Sequence, residues 1–186
     1  MFLNEESINK IQFKHFGKNV KISDKAVFYN ASNIEIGDNV RIDDFCILSS
    51  GEGGIKIGDN IHIAAFCLLI GNGKIVLENF SGLSSRVSIY SSTDDYSGNF
   101  LTNPTVDKKY TNVISGQVRL GKHVIVGSGS IILPNVNIDD YSSVGALSLI
   151  NKNVDKFKIV AGSPFKVIKE RNNKLFQLEC EYLKKL

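Results

Sequence analysis

The sequence predicts an all-β fold, a prism of short parallel strands wound into stacked triangular coils. Three observations carry that expectation. Aliphatic residues recur at every sixth position: Ile36, Ile42 and Leu48, then Ile57, Ile63 and Leu69, then Leu77, Leu83 and Ile89, and finally Leu120, Val126, Ile132, Ile138, Val144 and Ile150. Small or compact residues stand four positions after most of these, among them Val40, Cys46, Cys67, Ser81, Ser130 and Ser148. Gly37, Gly58 and Gly121 follow the aliphatic residue that opens a triplet. Steps of six spread over many faces of an α-helix, so no helical stripe forms. Plain strand alternation has period two. Short strands that turn a corner every six residues satisfy the pattern, and three hexads close one triangular coil around a continuous core.

Taken in order, the chain opens with a segment, residues 1–19, in which Glu5 to Phe16 reads as a short helix with Ile8, Ile11 and His15 on one side. A coil domain follows over 20–160. Its first coil is imperfect, with Ile22, Ala26 and Phe28 in register, as an end coil that caps a stack should be. Between the coils opened by Ile36, Ile57 and Leu77 the surplus residues fall at Gly51–Gly54 and near Gly71-Asn72-Gly73, which read as bulged corners. A polar, turn-rich insert at about 90–117 interrupts the repeat, and a long loop on a regular scaffold is commonly functional. The coils from Leu120 to Ile150 are the most regular. In the tail, residues 161–186, Pro164 is expected to end the β pattern. Leu175, Leu178, Tyr182 and Leu186 then recur at helical spacing, reading as a C-terminal α-helix that caps the end of the solenoid.

Length and composition narrow the functional classes. The chain has 186 residues, 42% hydrophobic, which suits one domain with a modest attachment. A net charge of +3 is too small to argue for nucleic acid. No apolar run reaches the length of a membrane span, and the N-terminus lacks a basic and then apolar signal pattern, so a cytoplasmic location is expected. Three cysteines without close pairs fit small buried residues in a reducing compartment better than a disulfide framework.

The segments IGDNVRIDD, IGDNIHIAA and GKHVIVGSGSIILPNVNI resemble the hexapeptide-repeat acyltransferases, over about Val20 to Arg171. The resemblance implies a left-handed parallel β-helix with a protruding loop. It also implies a homotrimer with active sites between subunits, and acetyl-CoA as co-substrate. The activity implied is acetyl transfer to a hydroxyl or amine of a sugar or nucleotide sugar destined for bacterial surface polysaccharide. Family members commonly use a loop histidine as general base. This chain has Thr93-Asp94-Asp95 there instead, which is more compatible with an amine acceptor.

Among three histidines His62 is the candidate base. It lies between the inward residues Ile61 and Ile63, so alternation points it outward. Asp94 and Asp95 are candidates to orient its ring, as a carboxylate does in a triad. His123 reads as structural or peripheral. The segment containing Gly127 and Ser128, continued by Gly145 and Ala146, resembles the family's track for the pantetheine arm. The tail AGSPFKVIKER resembles its cofactor signature, which assigns Ala161 and Pro164 to the cofactor site and Lys166 and Arg171 to the nucleotide phosphates. No metal is expected. Two other readings exist for the fold: a non-catalytic scaffold, and a zinc carbonic anhydrase, which would need His15, His62 and His123 brought together between subunits.

Overall fold

The computed structural model describes residues 1–185, so Leu186 of the C-terminal stripe lies outside the described residues. The chain winds as a parallel β-helix with three sheets. The first holds His15–Phe16, Ile34–Ile36, Ile55–Ile57, Ile75–Leu77, Val118–Leu120 and Asn137–Ile138. The second holds Lys21–Ile22, Arg41–Ile42, His62–Ile63, Gly82–Leu83, Ile125–Val126, Ser143–Val144 and Lys158–Gly162. The third runs from Val27–Tyr29 through Ile47–Ser50, Leu68–Gly71, Ser88–Tyr90 and Ile131–Ile132 to Leu149–Ile150. Each residue of the hexad column pairs with its counterpart one coil on: Ile36 with Ile57, Ile57 with Leu77, Leu77 with Leu120. All fifteen of those aliphatic residues are at most 3% exposed, so the period of six is the period of the core.

Glycine after the opening aliphatic residue has a steric cause. A Cβ on Gly37 would lie 2.4 Å from Asp59 Oδ1, on Gly58 2.3 Å from Asn79 Oδ1, and on Gly121 2.3 Å from Asp140 Oδ1. Those same oxygens accept hydrogen bonds from the Asp38, Asp59 and Lys122 amides at 2.8, 2.9 and 3.0 Å. Each corner is thus stitched to the next by an Asx side chain that occupies the missing Cβ position.

The N-terminal helix α1 spans Glu5–Ile11 and not Glu5 to Phe16. Asn4 caps it, accepting from the Ser7 amide at 2.9 Å, and Gln12 in the left-handed region ends it. His15 and Phe16 instead form the first strand, paired with Glu35 and Ile36. The insert is not structureless. Ser92–Thr93 pairs antiparallel with Ile114–Ser115 at its base, and Tyr96, Phe100, Leu101 and Tyr110 remain exposed beyond it.

Two expectations about the tail are corrected. Pro164 does not end the β structure. It lies in the turn of a hairpin in which Phe165–Glu170 returns antiparallel along Lys158–Gly162. The C-terminal helix α2, Lys174–Leu183, does not cap the end of the stack either. It lies along the corner between the first and second sheets. There Phe80, His123, Tyr141 and Phe157 form a stack with centroids 4.7–5.2 Å apart, and Tyr182 meets Phe80 edge-on at 5.9 Å. Glu179, only 8% exposed, anchors the helix by accepting from Lys122 Nζ and Tyr141 Oη, each at 3.1 Å. Burial pushes the Glu179 carboxyl up, but the bonds from Lys122, Tyr141 and the adjacent His123 leave it below its ordinary value. Burial and that carboxylate push the Tyr141 phenol up to about 12.

Candidate active site

His62 stands on the outer face of the second sheet, between Arg41 and Gly82 on the neighbouring strands. Its side chain is half exposed, as alternation around buried Ile61 and Ile63 requires. Its Nε2 donates to Asp43 Oδ2 at 2.7 Å, and Asp43 Oδ1 accepts from Arg41 Nε at 2.7 Å. Asp43 can only accept, so Nε2 carries the ring proton and the neutral ring keeps its lone pair on Nδ1. Partial burial pushes the Asp43 carboxyl up, but the bonds from His62 and Arg41 outweigh it and hold the group ionised below its ordinary range. An anchored imidazole with one outward lone pair can take a proton from an acceptor and hold it against a fixed negative charge.

The ring borders a pocket of about 270 Å³ walled by Ala64, Ser84, Ser85, Ile125 and Ser128, with Gly82 as floor. Ser128 of the expected pantetheine track therefore faces the same space as His62. Gly127 and Gly145 do not open into it. Their amides donate to Val144 O and Val160 O in the next coil, at 2.8 and 2.7 Å. A Cβ on either would strike Ala146 N at 2.4 Å or Ala161 Cβ at 2.8 Å. Their smallness serves coil stacking, which packs Ala146 against Gly127 and Ala161 against Gly145.

The loop carboxylates fall elsewhere. Neither Asp94 nor Asp95 meets His62 within the protomer; the orienting carboxylate is Asp43. Asp95 accepts from the Ser97 amide at 2.7 Å and from Asn112 Nδ2 at 3.0 Å, so it ties the insert together, and the Ser97 bonds hold its carboxyl low. Asp94, a residue nearer the base of the insert, has no hydrogen-bond or ion-pair partner among the described residues. In the tail, Arg171 Nη1 donates to His123 O at 2.7 Å and Ser142 O at 2.8 Å, so that arm of the guanidinium clamps the hairpin to the coils rather than facing solvent phosphate. Lys166 is exposed on the hairpin. Pro164 is exposed in the hairpin turn.

The other histidines lie apart: His15 in the first coil and His123 beneath α2 beside Glu179, at 3.1 Å. The described residues hold no cluster of three or more His, Cys, Asp or Glu side chains suited to a metal. Cys46 and Cys67 are fully buried corner residues, and the neighbouring Cys46 together with burial pushes the Cys67 thiol far up, away from nucleophilic use.

No family model matches the chain. Relatives that run its whole length do. A dTDP-4-amino-4,6-dideoxy-D-glucose acyltransferase of Escherichia coli is 52% identical over 181 residues, 97% of this chain and 94% of that protein. AntD, an N-acyltransferase from Bacillus cereus solved in complex with dTDP and 3-hydroxybutyryl-CoA, has a TM-score of 0.95 at 47% identity, covering 99% of this chain and 97% of that one. The D94N form of AntD, solved with dTDP and coenzyme A, covers 100% of this chain and 99% of that one, with a TM-score of 0.95 at 46% identity. Fold and full-length similarity together define a β-helical acyltransferase. The chain belongs to the hexapeptide-repeat acyltransferases.

Proposed function

We propose that the protein transfers an acyl group from acyl-CoA to the 4-amino group of a dTDP-4-amino-4,6-dideoxyhexose. The observation that carries this reading is the 52% identity, end to end, with the Escherichia coli enzyme named for that sugar. The amine nitrogen attacks the thioester carbonyl, an amide forms, the carbon–sulfur bond breaks, and coenzyme A leaves as its thiol. The nitrogen must lose a proton on the way, and His62 Nδ1, held by Asp43, is the group we assign to take it. The unpartnered Asp94 is the second candidate. AntD has been solved as D94N, D94A, S84T, S84C and S84A forms, and this chain has aspartate and serine at the same numbers.

Ser128 and the coil track above it receive the pantetheine arm, and Lys166 the phosphates. Arg171 acts chiefly by fixing the hairpin that presents Lys166. The exposed apolar residues of the insert and the bare outer face around His62 fit a homotrimer in which an insert from one subunit closes the site of the next. Such an assembly would bring Asp94 to a neighbour's pocket. We place the reaction in the cytoplasm, with the N-acylated sugar as a precursor of surface polysaccharide.

The test is direct. Purified protein given dTDP-4-amino-4,6-dideoxyglucose and acetyl- or 3-hydroxybutyryl-CoA should release free thiol and yield an amide stable to hydroxylamine. Equal rates with the 4-hydroxy sugar nucleotide, or a hydroxylamine-labile product, would overturn amine acylation. Absence of coenzyme A binding by calorimetry would favour a scaffold.

A further inference from the structure

Fifteen of the sixteen glycines have a structural cause, and Gly82 has none. Gly54, Gly71, Gly98, Gly129 and Gly162 have φ between +71° and +143°, where side chains are strained. Ten others would place a Cβ 2.8 Å or less from a neighbouring atom. A Cβ on Gly82 would meet nothing closer than Ile125 Cδ1 at 3.4 Å and His62 O at 3.7 Å, and its backbone lies in an ordinary strand. A glycine in a strand interior weakens the strand and marks a place where something approaches the backbone closely.

The position explains what approaches. Gly82 pairs with His62 on one side and Ile125 on the other, so all three sit in one outward row across the second sheet. Two strand spacings separate the flanking side chains by about 9–10 Å. The missing side chain leaves a slot in that row, which is the floor of the pocket of about 270 Å³. One wall is apolar, made by Ile125 and Ala64; the rim is polar, made by His62, Ser84 and Ser128.

We infer that Gly82 sets the size of the acyl group: the slot admits a four-carbon acyl chain, its carbons against Ile125 and Ala64 and a 3-hydroxyl within reach of the serine rim. An acetyl group would leave the slot unfilled. AntD, whose structure contains 3-hydroxybutyryl-CoA, shows that an acyl donor of this size occurs in a close relative. The inference rests on the proposal that the His62 pocket is where transfer occurs.

The experiment compares wild type, Gly82→Ala and Gly82→Val with acetyl-CoA and 3-hydroxybutyryl-CoA at saturating amino sugar nucleotide. The readout is the ratio of the two kcat/KM values. A methylene too many in an apolar pocket changes selectivity by roughly 10–200-fold. The four-carbon to acetyl ratio should therefore fall about tenfold in Gly82→Ala and toward the upper end of that range in Gly82→Val. Because the Cβ fits without a clash, the Tm of Gly82→Ala should equal or exceed that of the wild type, which separates selectivity from misfolding. An unchanged ratio in both variants would overturn the inference while leaving the proposed function intact, as would a parallel loss with both donors. Transfer from neither donor by the wild type would overturn the proposed function, and the inference with it.

Discussion

Two outer corners flank the sheet that carries His62, and the chain treats them in opposite ways. Both place one residue per coil in the left-handed region. At the corner shared with the first sheet these are Asn19, Asn39, Asn60, Phe80, His123, Tyr141 and Phe157; at the corner shared with the third they include Phe45, Phe66, Arg86 and Leu147. The first corner changes from asparagine to aromatic residues where α2 lies over it, and the stack is sealed by Glu179. The other has a similar ladder, with Phe45 and Phe66 stacked at 5.0 Å and Lys25 and Arg86 over their outer faces, yet it stays bare. Phe45 and Phe66 are 47% and 48% exposed and Leu147 is 77% exposed. The left-handed turn is demanded by the winding, and aromatic side chains occupy it at both corners, covered at one and bare at the other. One edge of the sheet is closed by the chain's own tail, and the edge nearer the pocket is left open.

That contrast predicts activity changes without stability changes on the open side and the reverse on the closed side. The largest effect is expected for His62→Ala, which should lower kcat by roughly 10²–10⁴-fold with little change in Tm, since a half-exposed residue leaves no core cavity. If Asp94→Asn loses rate to that extent while His62→Ala does not, the proton acceptor is the loop carboxylate.

On the closed side, Arg171→Ala should lower stability by about 1.5–3 kcal/mol for the lost charged hydrogen bonds to His123 O and Ser142 O. Its KM for acyl-CoA should shift less than that of Lys166→Ala. A larger KM shift for Arg171→Ala at unchanged Tm would return that residue to the phosphates.

Glu179→Gln should cost about 1–3 kcal/mol and leave kcat nearly unchanged, because its ionised bonds to Lys122 and Tyr141 are weakened. Its folded carboxyl titrates below the ordinary glutamate value of about 4.3, so the stabilisation is present above that pH and is lost as pH falls through the folded value. Acid melts of wild type and Glu179→Gln should converge under those conditions; a gap that does not narrow as the pH falls below the ordinary glutamate value would refute the assignment.

The smallest effects test the corners themselves. Asn39→Ala should cost about 1–2 kcal/mol, because asparagine enters that left-handed backbone at lower cost than alanine does. Phe66→Asn relieves the same strain while losing a half-exposed stack, so the Tm of the isolated chain should move little. Its sedimentation coefficient should instead report weakened assembly if the bare corner is a subunit contact.

The sequence by itself determined the solenoid, its core and the outward direction of His62. A coil can bury its apolar residues only against the coils above and below, so the repeat is written directly as period six. Asp43 was also within reach: Arg41 and His62 are 21 residues apart, one coil, and Asp43 shares the outward face of Arg41 two residues on. The glycine at 82 stood in the open as well, although only backbone angles and distances to neighbouring atoms distinguish it from the other fifteen glycines. What the tertiary structure alone decided lies outside the repeat. The hairpin around Pro164 pairs residues 3–12 positions apart, and the placement of α2 along a corner and the capture of Arg171 by two backbone carbonyls join residues 29–57 apart. Local periodicity carries no information about contacts of that kind. The same spacing of leucines and tyrosine would suit a helix on the end of the solenoid or on its side. The choice was made by a column of aromatic rings that only the folded coils bring into line, and by a glutamate that finds its lysine and tyrosine only there.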